Sequence, residues 1–164
     1  MQPLEPIRFE SGRPLFLGGL RQSHRFEAAP QGILAQWQQF LAQEPLPGQQ
    51  GTTLYGVMCG SSPTGLEYMC AVEVESLPAL PEGVGRMRIL PQTYAVFRHD
   101  GPAATLYQTW GRIIREWLPR GGYVSAHRPD FEVYPQPEAL WKTDGIEIWV
   151  AVLPQEPSSP SSQP

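Results

Sequence analysis

Positive charge is scarce in this 164-residue chain: Lys142 is the single lysine, and no run of lysine or arginine occurs anywhere. Twelve basic residues stand against sixteen acidic ones, a net charge of −4. Nucleic acids and anionic membranes are held by clustered positive charge, so neither is an expected partner. No stretch approaches the roughly eighteen apolar residues of a membrane helix. The opening MQPLEPIRFESGRP lacks the charged and apolar regions of a signal peptide, so a cytoplasmic protein of bacterial or archaeal style is expected.

Cysteine is rare too. The strands Thr53–Cys59 and Leu66–Val74, folded as a hairpin, hold Cys59 and Cys70 roughly 13 Å apart, whereas a disulfide needs Cα atoms within about 7 Å. Two free thiols follow. His24, His99 and His127 show no metal-ligand spacing and no CxxC accompanies them, so neither a metal nor a haem ligand is expected. GxSxG, Walker and GxGxxG motifs are missing, which leaves LGGL and RGGY as turn glycines and no cofactor in view.

What is present is a globular composition, 41% apolar and 10% aromatic, of a size suited to one domain. Nineteen prolines and sixteen glycines cut it into short elements. Leu15–Leu20 reads as a strand. Gly32–Ala42 places Ile33, Trp37, Phe40 and Leu41 on one helical face. TLYGVMC and LEYMCAVEV flank the turn GSSPTG as a hairpin. The order then repeats: a strand over Met87–His99 whose Pro91 implies an edge position or a bulge, a helix over Pro102–Leu118 capped by Asp100, and strands Phe131–Tyr134 and Ile146–Leu153. That helix carries Leu106, Trp110, Ile113 and Trp117 as its buried stripe.

The expected fold is therefore α+β. Two strand–helix–strand–strand units, about residues 4–76 and 86–153, form one antiparallel sheet with two helices on one face and a central cleft. Aligning LYGVM with DFEVY sets Gly56 against Glu132 and Met58 against Tyr134. From Pro154 onward PQEPSSPSSQP holds no aliphatic or aromatic residue, and a disordered Pro/Ser-rich tail is expected over 154–164.

Side-chain alternation sharpens this. In the strand FEVY, Glu132 and Tyr134 share one face; in IEIWVAV, Glu147, Trp149 and Ala151 share another. An acid on a face covered by helices must be solvated by a pocket, paired or protonated. Residues alone leave Glu132 open between such a pocket, an outward position and an arginine partner.

YAVFRHDGP, EWLPRGGY, PDFEVYP and EIWVAV, preceded in order by LFLGGL, the Trp37 helix, YGV and EVES, resemble the GyrI-like small-molecule-binding domain, also called the AraC-type effector-binding domain. The resemblance spans about residues 4–153. It implies a ligand cleft between the halves, with Glu132 among aromatic rings accepting lipophilic cations and Trp149 and Tyr68 as pocket aromatics; Trp110, mid-helix above the cleft, and Tyr134 and Tyr55 on the strands are further candidate ligand contacts. Regulators of the family add a helix-turn-helix reader, and no such segment is seen here, so a free-standing binder for drug sensing or sequestration is expected. Two alternatives remain. One is a hydrolase of cyclopropane-type genotoxic alkylators, with Glu132 as general base and Tyr68 or Tyr134 as proton donor. The other is an inhibitor-like module whose partner is DNA gyrase or a regulator.

Overall fold

Short apolar alternations bounded by proline and glycine become nine strands and two helices in the computed structural model, which describes residues 2–141 and 145–156. The strands are β1 (Arg8–Ser11), β2 (Leu15–Arg25), β3 (Gln49–Ser61), β4 (Gly65–Val74), β5 (Gly85–Ile89), β6 (Thr93–Arg98), β7 (Tyr123–Ser125), β8 (Asp130–Tyr134) and β9 (Glu147–Pro154). Helix α1 (Ala29–Leu41) follows β2, with Pro30 in its first turn, where the missing N–H costs nothing. Helix α2 begins as Leu106–Arg112, passes through a π-helical turn at Ile113–Trp117 and ends at Leu118–Arg120. None of the described helices is long and apolar enough to cross a membrane.

All pairings are antiparallel, in the order β1-β6-β9-β8-β3-β4-β2-β5, with β7 added to the end of β9. Each strand–helix–strand–strand unit contributes three neighbouring strands, β2-β4-β3 and β6-β9-β8, and the units join where β3 pairs with β8. The outer strands are exchanged. β1 precedes β2 in sequence but pairs with β6, while β5 precedes β6 but pairs with β2. Each unit thus covers the other's outer edge, which protects backbone groups that an edge strand would leave unpaired.

This exchange corrects the single strand expected over Met87–His99. The chain has to leave β2 at Ile89 and start again beside β9 at Thr93, and Pro91, without an N–H to donate, lies in the crossing. The short β1 and β7 carry too little apolar alternation to be read from sequence. At the entrance to α2, Asp100 makes no cap bond and is 88% exposed at its side chain. The buried His99 instead ties the strand end to the helix: Nε2 donates to the Pro102 carbonyl at 2.8 Å, and Nδ1 lies 2.8 Å from the Thr109 hydroxyl. Pro154, expected to open the tail, ends β9, and the Gln155 N–H donates to Gly122; the rest of that expectation, residues 157–164, lies outside the described residues.

The sheet has two different faces. Trp37, Phe40, Leu106, Ile113 and Trp117 bring both helices onto the face that holds Leu54, Cys70, Tyr134 and Ile148. The reverse face buries Leu17, Tyr55, Val57, Met69, Tyr94 and Phe131 with no helical residue. Cys59 and Cys70 are free thiols. Trp117, 2% exposed, meets the Phe97 ring at 5.0 Å and stacks on Tyr123 at 5.8 Å. Trp117→Ala is expected to cost about 3–5 kcal/mol in urea unfolding. Trp141→Ala, at a side chain 62% exposed, should stay within about 0.5 kcal/mol.

Candidate ligand-binding site

One row of residues crosses the six central strands on the helix-covered face: Leu20, Cys70, Gly56, Glu132, Ile148 and Phe97, each in register with the next. Five are apolar or glycine. The sixth is Glu132, at the β3–β8 junction of the two units and only 4% exposed.

The carboxylate is held by aromatic donors alone. Oε1 accepts from the Tyr68 hydroxyl at 2.8 Å and the Tyr134 hydroxyl at 2.7 Å, and Oε2 accepts from the Trp110 indole at 2.9 Å. A second indole, Trp37 on α1, donates to the Tyr68 oxygen at 3.2 Å and packs edge-on against the Tyr68 and Tyr134 rings. Tyr68 stands on β4, two strands from Glu132, so its hydroxyl has to pass over β3. It does so at Gly56. A Cβ there would collide with the Tyr68 hydroxyl and stand 2.7 Å from Glu132 Oε1.

Burial and bonding oppose each other at this group. Removing a carboxylate from water costs several kcal/mol, and each donor bond to it returns about 1.5–3 kcal/mol. Burial prevails: it lifts the Glu132 carboxyl above its ordinary value of 4.5, while the bonds from Tyr134, Trp110 and Tyr68 pull the other way. Tyr68 and Tyr134 are pushed well above 10.0, by burial first and by the adjacent carboxylate second, and so stay protonated donors.

Sequence reasoning placed six residues here, and the structure brings four together: Glu132, Tyr68, Trp110 and Tyr134. Tyr55 and Trp149 are corrections. Register pairs Glu132 with Ile148 and Phe131 with Trp149, so the acid-bearing side of β8 faces the same way as the aliphatic side of β9. Trp149 therefore lies on the reverse face, stacked on Phe131 at 5.5 Å, beneath the Arg8 guanidinium and donating to Glu147. Tyr55 pairs with Val133 and lies on that same face against Phe131. Alternation within each strand was right, but it carries no information about how two strands are phased. Trp37 was read as core stripe, and nothing in the stripe reveals the polar bond of its ring. Gly56 was legible as the counterpart of Glu132, though not as the space that Tyr68 crosses. Surface cavities of about 270 Å³ beside Ile114, Leu118 and Tyr123, and about 150 Å³ beside Ile89, Tyr94 and Arg128, lie apart from the cluster.

Two outcomes follow. Gly56→Ala should destabilise by about 1–3 kcal/mol in urea unfolding, as overpacking does, and Gly56→Ala combined with Tyr68→Phe should recover part of that loss. In the second, the folded state holds the Glu132 proton more tightly than the unfolded chain. Its contribution is thus complete below pH 4.5 and declines as pH rises through the folded titration. The stability of wild type minus that of Glu132→Gln should fall as pH rises above 4.5, and a difference that stays flat would contradict the raised proton affinity.

Known proteins share this frame. The protein SAV2435 bound to tetraphenylphosphonium superposes with a TM-score of 0.70 at 18% identity, over 89% of this chain and 93% of that one. An integron cassette protein from the mobile metagenome of Vibrio cholerae gives 0.67 at 16% identity, over 92% and 98%. In sequence, the transcriptional regulator BrlR of Pseudomonas aeruginosa is 30% identical over 114 residues, 68% of this chain. The chain spans 42% of that regulator's length. Residues 19–152 match the family described as Cass2, integron-associated effector binding protein. The chain belongs to this family of effector-binding proteins, with the GyrI-like fold.

Proposed function

We propose that this protein binds lipophilic organic cations at the Glu132 cluster and serves, in the cytoplasm, to sense or sequester them. The observation that carries the reading is a buried carboxylate whose partners are neutral aromatic donors, with no arginine among the described residues bonded to it. Such a group supplies one uncompensated negative charge in an apolar setting. A cation gains there from the desolvated charge, from contact with ring faces at about 0.5–2 kcal/mol each, and from burial of its own apolar surface at about 25 cal/mol per Å². The tetraphenylphosphonium in the SAV2435 structure is a molecule of this kind, which supports the reading. Relatives that are transcriptional regulators make a partner regulator the natural receiver of the signal.

A hydrolytic reading has one observation in its favour: two tyrosine hydroxyls stand 2.7–2.8 Å from a carboxyl whose affinity for protons is raised by burial. Glu132 would then act as general base on a water that attacks a strained electrophilic ring and opens its bond, with a tyrosine hydroxyl protonating the departing carbonyl oxygen. Product formed from a cyclopropane alkylator, and lost in Glu132→Gln, would favour it over binding.

Binding itself is tested with tetraphenylphosphonium, followed by tryptophan quenching. Affinity should fall at least about tenfold in Glu132→Gln, the scale of one lost charge interaction. It should also rise with pH as Glu132 ionises, since a bound cation favours the carboxylate. The anion tetraphenylborate, of similar shape, should not bind. Equal affinity in wild type and Glu132→Gln would sink the reading.

A further inference from the structure

The donors around Glu132 are unevenly divided between its two oxygens. Oε1 has two, the hydroxyls of Tyr68 and Tyr134; Oε2 has one, the Trp110 indole. The hydroxyls are fixed. Both tyrosines are at most 2% exposed, both stand on strands paired on either side, and Trp37 packs against both rings. Trp110 is held less firmly. It is half-buried, it stacks on no ring among the described residues, and Gly111 follows it. One turn later α2 departs from α-helical geometry into the π turn at Ile113–Trp117, a feature found most often at functional sites.

With Glu132 only 4% exposed, a ligand reaches the carboxylate only if a group that covers it moves, and the Trp110 indole is the least firmly held of its donors. We propose that the ligand takes the place of the Trp110 indole at Oε2, and that the site therefore selects protonated amines, which carry an N–H, over quaternary cations, which carry none. This deepens the cation-binding reading and rests on it. A protonated amine replaces the lost indole bond with a charge-assisted one. A quaternary cation supplies the same charge but leaves a buried oxygen one donor short. Hydrophobic burial works against this preference, since the quaternary analogue has one more methyl group to bury. An observed preference for the amine therefore cannot come from apolar area.

The test is a matched pair, N,N-dimethyl-1-naphthylmethylamine, protonated at pH 7, and its N-methyl quaternary salt, titrated by calorimetry into the full chain. The tertiary ammonium should bind about tenfold more tightly, the scale of one charged hydrogen bond less one methyl. In Trp110→Phe both ligands should bind more tightly, because no indole bond has to be broken, and their ratio should persist. Equal affinities, or a preference for the quaternary salt, would overturn the selectivity while leaving cation binding intact. Weaker binding of both ligands to Trp110→Phe would overturn displacement of the indole. If neither ligand bound wild type, the cation-binding reading would fail, and this inference with it.

Discussion

A carboxylate buried over a glycine is the constraint on which the rest of this structure depends. Glu132 lies in the middle of an apolar row, at the seam of the two units, where an unpartnered charge would be unaffordable. Its three donors come from three elements, β4, β8 and α2, and a fourth element, α1, orients one of them through Trp37. Placing those donors fixes much else. Tyr68 has to pass over β3, so β3 carries glycine at that point, and the two helices have to approach from the same side to bring their indoles into reach. The residual cost of burial is visible in the raised proton affinity of the acid.

The exchanged outer strands serve the same arrangement. Because β1 closes the edge beside β6 and β5 the edge beside β2, each unit is bound to the other by more than the β3–β8 pairing alone. The reverse face adds an aromatic layer in which Tyr55, Tyr94, Phe131 and Trp149 contact one another, with Arg8 lying over Trp149 and bonded bidentately to Glu147. Arg8 comes from β1, so the exchanged strand also ties down the reverse face. One face of the sheet is thus packed rigidly, while the other holds a single charged point beneath two indoles.

Much of this was legible in the residues. The α+β class, the repeated element order and the helix stripes follow from periodicity and alternation, which are local properties; the pocket role expected of Glu132 came from the family resemblance. Gly56 was legible as the counterpart of Glu132 in the repeat. The misplaced residues failed for a shared reason. Trp149 was carried over from the resemblance and Tyr55 from its place on the first hairpin, and neither route fixes the phase between β8, β9 and β3, which is set by pairing register. The break at Pro91 and the role of His99 also depend on partners distant in sequence or on three-dimensional reach.

Sequence by itself determined that an acidic residue on FEVY would stand in the second of two similar units, with tryptophan stripes on both helices to cover it. Those conclusions need only the period of a strand and the period of a helix. Tertiary structure alone decided which aromatics bond to that acid. A hydroxyl on β4 reaches Glu132 across a glycine on an intervening strand, and an indole on α2 reaches it from above. Such contacts depend on register, sheet order and helix placement, and these are settled by the packing of the whole chain rather than by any one segment.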